Sequence, residues 1–191
     1  DGGQGDDHIR GGRGNDHIDG GQGNDALYGK KGDDNIFGDQ GDDLIYGGRG
    51  IDALNGGEGD DKIHGGRGKD HIDGGSGNDT LIGGDFDDEL YDAFGNNVLT
   101  GGGGNDKLTV MSGTNTLDGG AGDDVLIGGI GSDTLRGGSE NDVLIADTTD
   151  FLVGNDTLDG GSGDDLILEP AVHGIELGAV SGHLDPQVPV F

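Results

Sequence analysis

From Gly2 to Ile145 the chain is sixteen nonapeptides laid end to end without a gap. Five further residues, 146–150, interrupt the series, and two more nonapeptides run over 151–168. The pattern is G-G-x-G-x-D-x-(aliphatic)-x. Its eighth position is Ile or Leu in all eighteen units, from Ile9 and Ile18 to Leu158 and Ile167. The sixth is Asp in sixteen units and Asn in two, Asn97 and Asn115, and the fourth is Gly in all but two, where Phe86 and Glu140 stand. Such a period limits the chain to an array in which each unit is one small turn-and-strand element that cannot bury its apolar side chain alone.

The unit supplies its own physical logic. Gly-Gly-x-Gly tolerates positive φ and close backbone approach, so six residues can reverse the chain tightly. The remaining x-aliphatic-x is a minimal strand with one side chain inward and two outward. Stacked coils bury the inward residues as a continuous ladder. The expected fold is all-β: a right-handed parallel β-roll, a form of β-helix or solenoid, with two nonapeptides per coil, two facing sheets and about nine coils. At an inter-strand spacing of about 4.8 Å the stack is roughly 40 Å long. Residues 1–168 form this roll, and 169–191 (EPAVHGIELGAVSGHLDPQVPVF) leave the repeat.

Composition sharpens the reading. Leu, Ile, Val and Phe make up 44 of 191 residues, too few for a conventional globular core beside a net charge of −29. With 34 Asp against 5 Glu, the field excludes nucleic acid and favours cations. The absence of Cys removes disulfides and thiolate metal sites and fits secretion. No apolar run approaches the roughly 18 residues that span a bilayer. The chain opens on Asp1 and a repeat, with neither an initiator Met nor a signal peptide, and reads as part of something longer.

These units resemble the RTX (repeats-in-toxin) hemolysin-type calcium-binding nonapeptide repeat over residues 2–168. The resemblance implies a Ca²⁺-loaded parallel β-roll in a bacterial protein exported by a type I system. Two units per coil divide the sixth positions between two edges. One carries Asp7, Asp25, Asp43, Asp61, Asp79, Asn97, Asn115, Asp133 and Asp156; the other carries Asp16, Asp34, Asp52, Asp70, Asp88, Asp106, Asp124, Asp142 and Asp165. Carboxylates one coil apart repel by roughly 3–4 kcal/mol at an effective dielectric of 20. Ca²⁺ between turns reverses that sign, since it takes six to eight carboxylate and carbonyl oxygens in flexible geometry. The resemblance implies that backbone carbonyls of the first four turn positions join the Asp ligands. Examples are Gly11, Gly12, Arg13 and Gly14; Gly29, Lys31 and Gly32; Gly47, Gly48, Arg49 and Gly50; and Gly65, Gly66, Arg67 and Gly68. Counting intact neighbours gives about twelve Ca²⁺, whose charge of about +24 nearly balances the chain, so binding is expected to be coupled to folding.

No other chemistry competes. His8, His17, His64 and His71 fall on outward strand positions, none spaced to share a metal on adjacent coils of one sheet, and His173 and His183 lie in the tail. No H-E-x-x-H, G-x-S-x-G or Cys nucleophile occurs, so no enzyme is expected. Position five, mostly Asp or Asn, is explained by turn conformation alone. Tyr28, Phe37 and Tyr46 form an outward aromatic cluster on early coils.

Two surfaces are candidates for a protein partner. Val125, Ile127, Val143, Ile145, Leu166 and Leu168 make an apolar outer face, onto which the tail is expected to fold as a cap. Phe94, Met111, Ile130 and Phe151 line one edge beside Asn97 and Asn115, which are expected to stack as a calcium-poor amide ladder. The leading function is a secreted module that stays unfolded at cytosolic calcium, passes the type I secretion apparatus in transit, and folds on Ca²⁺ outside the cell or at its surface. The alternatives are a Ca²⁺-stiffened segment of an adhesin, surface layer or virion appendage, and the non-catalytic carboxy-terminal part of an RTX toxin or enzyme.

Overall fold

The structure is a computed structural model and describes residues 1–147 and 154–168. Its strands alternate between two parallel sheets. Ten strands, from Gly3–Gln4 through His17–Gln22 to Leu166–Leu168, form one; nine, from His8–Arg13 through Ala26–Lys31 to Thr157–Ser162, form the other. A short two-stranded ladder pairs Ser112–Gly113 with Ile130–Gly131. Register is constant: Ile9 pairs with Leu27, Leu27 with Ile45 and Ile45 with Ile63. Each coil is therefore two nonapeptides, as the repeat requires. Across the insertion Leu135 pairs with Leu158, so the ladder keeps the same register on either side of it.

The core is the eighth position and little else. From Ile18 to Leu158 these side chains are at most 3% exposed, whereas Ile9 and Ile167 on the terminal coils are only partly buried. Val110 and Ala146, which occupy the position of a first-position glycine, join the same cluster. One aliphatic side chain per nine residues contributes about 1.5–3 kcal/mol each on burial, an upper bound given residual compaction of the unfolded chain. So thin a core must be supplemented by polar contacts between coils.

Two expectations need correction. Most strands are six residues long rather than three, because pairing continues into the first half of the next unit: Gly12 and Arg13 pair with Lys30 and Lys31. Position two makes this possible. Gly12 has φ of 119° and Gly66 of 118°, which bends the strand while its hydrogen bonds to neighbouring coils persist. The reversal itself is confined to positions four to six. The aromatic cluster also divides. Tyr28 and Tyr46 stack at 5.3 Å on the nine-stranded sheet, flanked by His8 and His64. Phe37 lies on the ten-stranded sheet, edge-on to His17, because successive units face opposite ways.

No helix among the described residues is long and apolar enough to cross a membrane. Val125, Ile127, Val143 and Ile145 sit half-buried on the outer face of the ten-stranded sheet, and Leu166 and Leu168 are exposed beside them. The expected tail cap, residues 169–191, and Phe151 lie outside the described residues.

Candidate metal centre

The sixth-position residues stack in two columns, one on each edge, and each side chain does two jobs. Its Oδ1 accepts a hydrogen bond from the backbone N–H of the sixth residue one coil earlier. Asp7 donates to Asp25 at 2.7 Å, Asp16 to Asp34 at 2.8 Å, Asp52 to Asp70 at 2.8 Å and Asp106 to Asp124 at 2.7 Å. The chain of contacts is unbroken to Asp156 and Asp165 on the last coil. A carboxylate accepting a backbone N–H is well satisfied on that oxygen.

The other oxygen is not. Among the described residues, Oδ2 of Asp7, Asp16, Asp25, Asp34, Asp43, Asp52, Asp61, Asp70, Asp79, Asp88, Asp106, Asp124, Asp133 and Asp142 is buried with no hydrogen-bond partner. Each Oδ2 points at the first glycine of its own turn, and in most turns the main chain of the following coil points there too. A methyl group placed on Gly2 would lie 2.6 Å from Asp7 Oδ2 and 2.5 Å from Gly20 O. On Gly29 it would strike Asp34 Oδ2 and lie 2.8 Å from Gly47 O; on Gly65 it would strike Asp70 Oδ2 and lie 2.7 Å from Gly83 O. Only glycine leaves this cradle open, which is why position one is Gly in most units.

Electrostatics agrees with geometry. Burial above all, helped in most cases by neighbouring carboxylates, pushes Asp43, Asp52, Asp70, Asp106, Asp133 and Asp142 up to about 6 and Asp61, Asp88 and Asp124 up to about 7. The N–H from the preceding coil opposes this without cancelling it. A row of buried anionic oxygens facing carbonyl oxygens has no donor to satisfy it, and a hard cation fits that set. Among the described residues no three His, Cys, Asp or Glu side chains converge on one point, so a coordination shell here would draw on other oxygens, such as main-chain carbonyls and water.

The structure distinguishes the expected carbonyl ligands. Gly47 O and Gly65 O enter a cradle with Asp34 and Asp52. The carbonyls of Lys31, Arg49 and Arg67 already accept N–H groups of Gly14, Gly32 and Gly50 at 2.8–2.9 Å. Gly14 O, Gly32 O and Gly50 O pack against Gly32, Gly50 and Gly68 of the next coil, where the positive φ and the close backbone exclude a side chain. Gly11, Gly12, Arg13, Gly29, Gly48, Gly66 and Gly68 occupy equivalent turn positions on the same edge.

The two Asn turns preserve one job and alter the other. Asp79 N–H donates to Asn97 Oδ1 at 2.8 Å and Asn97 N–H to Asn115 Oδ1 at 2.8 Å, so the column continues. It runs from main chain to side chain and is not the amide-to-amide ladder expected, because Oδ1 is already committed to the preceding backbone. Asn97 Nδ2 turns into its own loop, to Phe94 O at 3.4 Å; Asn115 Nδ2 donates across the coils to Asp133 Oδ1 at 2.9 Å and, less closely, to Ser112 O of its own loop at 3.4 Å. An N–H thus faces a turn carbonyl at the point where the Asp turns aim an anionic oxygen. Phe94, Met111 and Ile130 are exposed on this edge at 63%, 54% and 40%, which gives the apolar strip.

Position five, read from sequence as turn chemistry only, carries a second ladder of opposite direction. Its side chain accepts from the next coil: Asp33 N–H to Asn15 Oδ1 at 2.9 Å, Asp42 N–H to Asn24 Oδ1 at 3.0 Å, Asp123 N–H to Asn105 Oδ1 at 3.0 Å. Asn and Asp alternate here because either can accept. Ile51 and Lys69 cannot, so on the second edge the ladder is interrupted there, beside the exposed Ile51 and Phe86, and resumes where Asn105 N–H donates to Asp87 Oδ1 at 2.9 Å.

Comparison with known proteins bears on the same residues. A family model described as RTX calcium-binding nonapeptide repeat (4 copies) matches residues 1–36, 19–54, 48–81, 82–117, 109–144 and 153–168. No curated protein matches the chain.

Proposed function

The chain belongs to the RTX calcium-binding nonapeptide repeat family, and from that premise we propose that its roll folds on Ca²⁺ outside the cell and so supports type I secretion of a larger protein that it stabilises. The observation that carries this is the pair of columns of buried, unpartnered Asp Oδ2 atoms. Uncompensated, they oppose folding; loaded, they become the contacts that join coils. Asp7, Asp16, Asp25, Asp34, Asp43, Asp52, Asp61, Asp70, Asp79, Asp88, Asp106, Asp124, Asp133 and Asp142 would hold calcium with first-position carbonyls, and Asp156 and Asp165 would close the columns. The ion supplies charge neutralisation and oxygen coordination between turns. Extracellular modules bind Ca²⁺ at about 10⁻⁴–10⁻³ M, far above cytosolic levels, so the chain would travel unfolded and fold on arrival.

Circular dichroism with and without EDTA tests the coupling. A β-rich spectrum is expected in millimolar Ca²⁺ and a largely unfolded one after chelation; a β spectrum that persists in full chelation would overturn it. A second reading, a calcium-stiffened rod in a surface or virion appendage, draws on the same columns. The exposed strip of Phe94, Met111 and Ile130 favours a protein partner in either case. No sequence signature of a nucleophile or catalytic metal argues for chemistry in the roll itself, which is read as the non-catalytic part of its parent.

A further inference from the structure

One gap in the first column differs from every other. Between the turns of Gly2, Gly20, Gly38 and Gly56 and those that follow, the cradle receives the first-position carbonyl of the next coil, down to Gly74 O at 2.5 Å from a methyl on Gly56. At Gly74 the incoming oxygen is instead Asp92 Oδ2, and Asp79 Oδ2 lies 2.8 Å from the same point. Asp92 stands where the repeat has glycine. Its own carbonyl is turned away and accepts Met111 N–H at 3.1 Å. The side chain has replaced the main chain as the source of the oxygen.

Asp92 is fully buried, at 0% exposure, and Asp79 is 1% exposed. Asp92 Oδ1 accepts Phe94 N–H at 3.2 Å and Asp79 Oδ1 accepts Asp61 N–H at 2.8 Å. Both Oδ2 atoms are without a partner. Two unpartnered carboxylate oxygens thus meet in a closed space, with Asp73 adding to the negative field. Placing a second acid here has a cost that a divalent cation removes.

We propose that Asp79 and Asp92 form a two-carboxylate calcium site in this gap, in which the Asp92 side chain takes the place of the carbonyl used elsewhere. The inference rests on the calcium reading above and adds a ligand that the repeat pattern does not contain. Affinity of calcium sites rises with ligand charge, so this gap binds more tightly than its single-carboxylate neighbours. It stands at the border of the Asn turns, where Asn97 Nδ2 has already taken Phe94 O. The run of Asp turns that precedes the Asn pair ends on its strongest ion.

Counting bound Ca²⁺ per chain by equilibrium dialysis, over a range of free Ca²⁺, tests this on the full chain, Asp92→Asn and Asp92→Gly. Asp92→Asn keeps the volume and the Phe94 hydrogen bond and removes the charge; Asp92→Gly restores the ordinary residue of the repeat. The expected result is one ion fewer in the Asn variant. In the Gly variant that ion should be held about tenfold more weakly. Equal number and affinity in all three chains would overturn the site and leave a proton shared by Asp79 and Asp92. If the Asn variant does not fold, the Gly variant decides: unchanged affinity overturns the proposal. A wild-type chain that binds no Ca²⁺ overturns the calcium reading itself, and this site with it.

Discussion

At the scale of the residue, position one of the turn is where the roll is least forgiving. A single methyl on Gly65 would enter the space shared by Asp70 Oδ2 and Gly83 O. Gly65→Ala is expected to lose one bound Ca²⁺ and to lower the midpoint of thermal unfolding in Ca²⁺, with a smaller effect in its absence. Calcium counting alongside a melt separates the two. The eighth position answers to different physics. Leu81 is 0% exposed in mid-stack, and Leu81→Ala should cost about 2–5 kcal/mol, read from denaturant midpoints in saturating Ca²⁺. Its effect should be similar at any calcium concentration that keeps the roll folded.

At the scale of the element, the Asp column carries the pH response. Its carboxyls lie above their ordinary value in the calcium-free fold, so the folded state binds more protons than the unfolded state over about pH 4 to 7. The sign follows: their contribution to stability is fully present below the unfolded value and is lost as pH rises through 6 to 7. Without Ca²⁺, acidification from pH 7 to 4 should therefore increase β structure in circular dichroism. With Ca²⁺ the order reverses, because protons compete for the same oxygens, and apparent affinity should fall over that window. Invariant pH behaviour in the chelated protein would contradict the burial that the columns require.

Much of this element was legible in the sequence. Position eight predicts the core and position six the two columns, since both repeat one chemistry at one spacing, and the parity of the units places Asn97 and Asn115 on a common edge. Strand length was not legible, because the letters Gly-Gly do not reveal that a residue with φ near 119° still pairs. The ladder at position five was hidden by the alternation of Asn15, Asp33 and Asn24, which looks like tolerance and is equivalence between acceptors. Asp92 escaped because one departure from a pattern carries no period. Only the direction of its side chain separates it from a lapse.

At the scale of the whole molecule, the coils are held by a thin apolar ladder, two side-chain ladders that run in opposite directions, and whatever neutralises the Oδ2 columns. Each coil depends on the one before it for one set of contacts and on the one after it for the other. A stack of any length therefore leaves the same few groups unmet at its two ends. The charge of −29 acts against all of it until cations bind.

The constant register has a mechanical consequence. Eighteen residues make each coil, as the pairing of Ile9 with Leu27 shows, and they advance the rod by about 4.8 Å. Pulled straight, the same residues span about 60 Å. Under tension from its ends, the rod pays out chain in equal lengths, each roughly twelve times the length of rod it replaces. With calcium the links that must break at each step are ionic and reform when the load falls. The same repeat that makes a stiff rod at rest makes an extensible tether under force, with the concentration of one ion setting the load at which it gives.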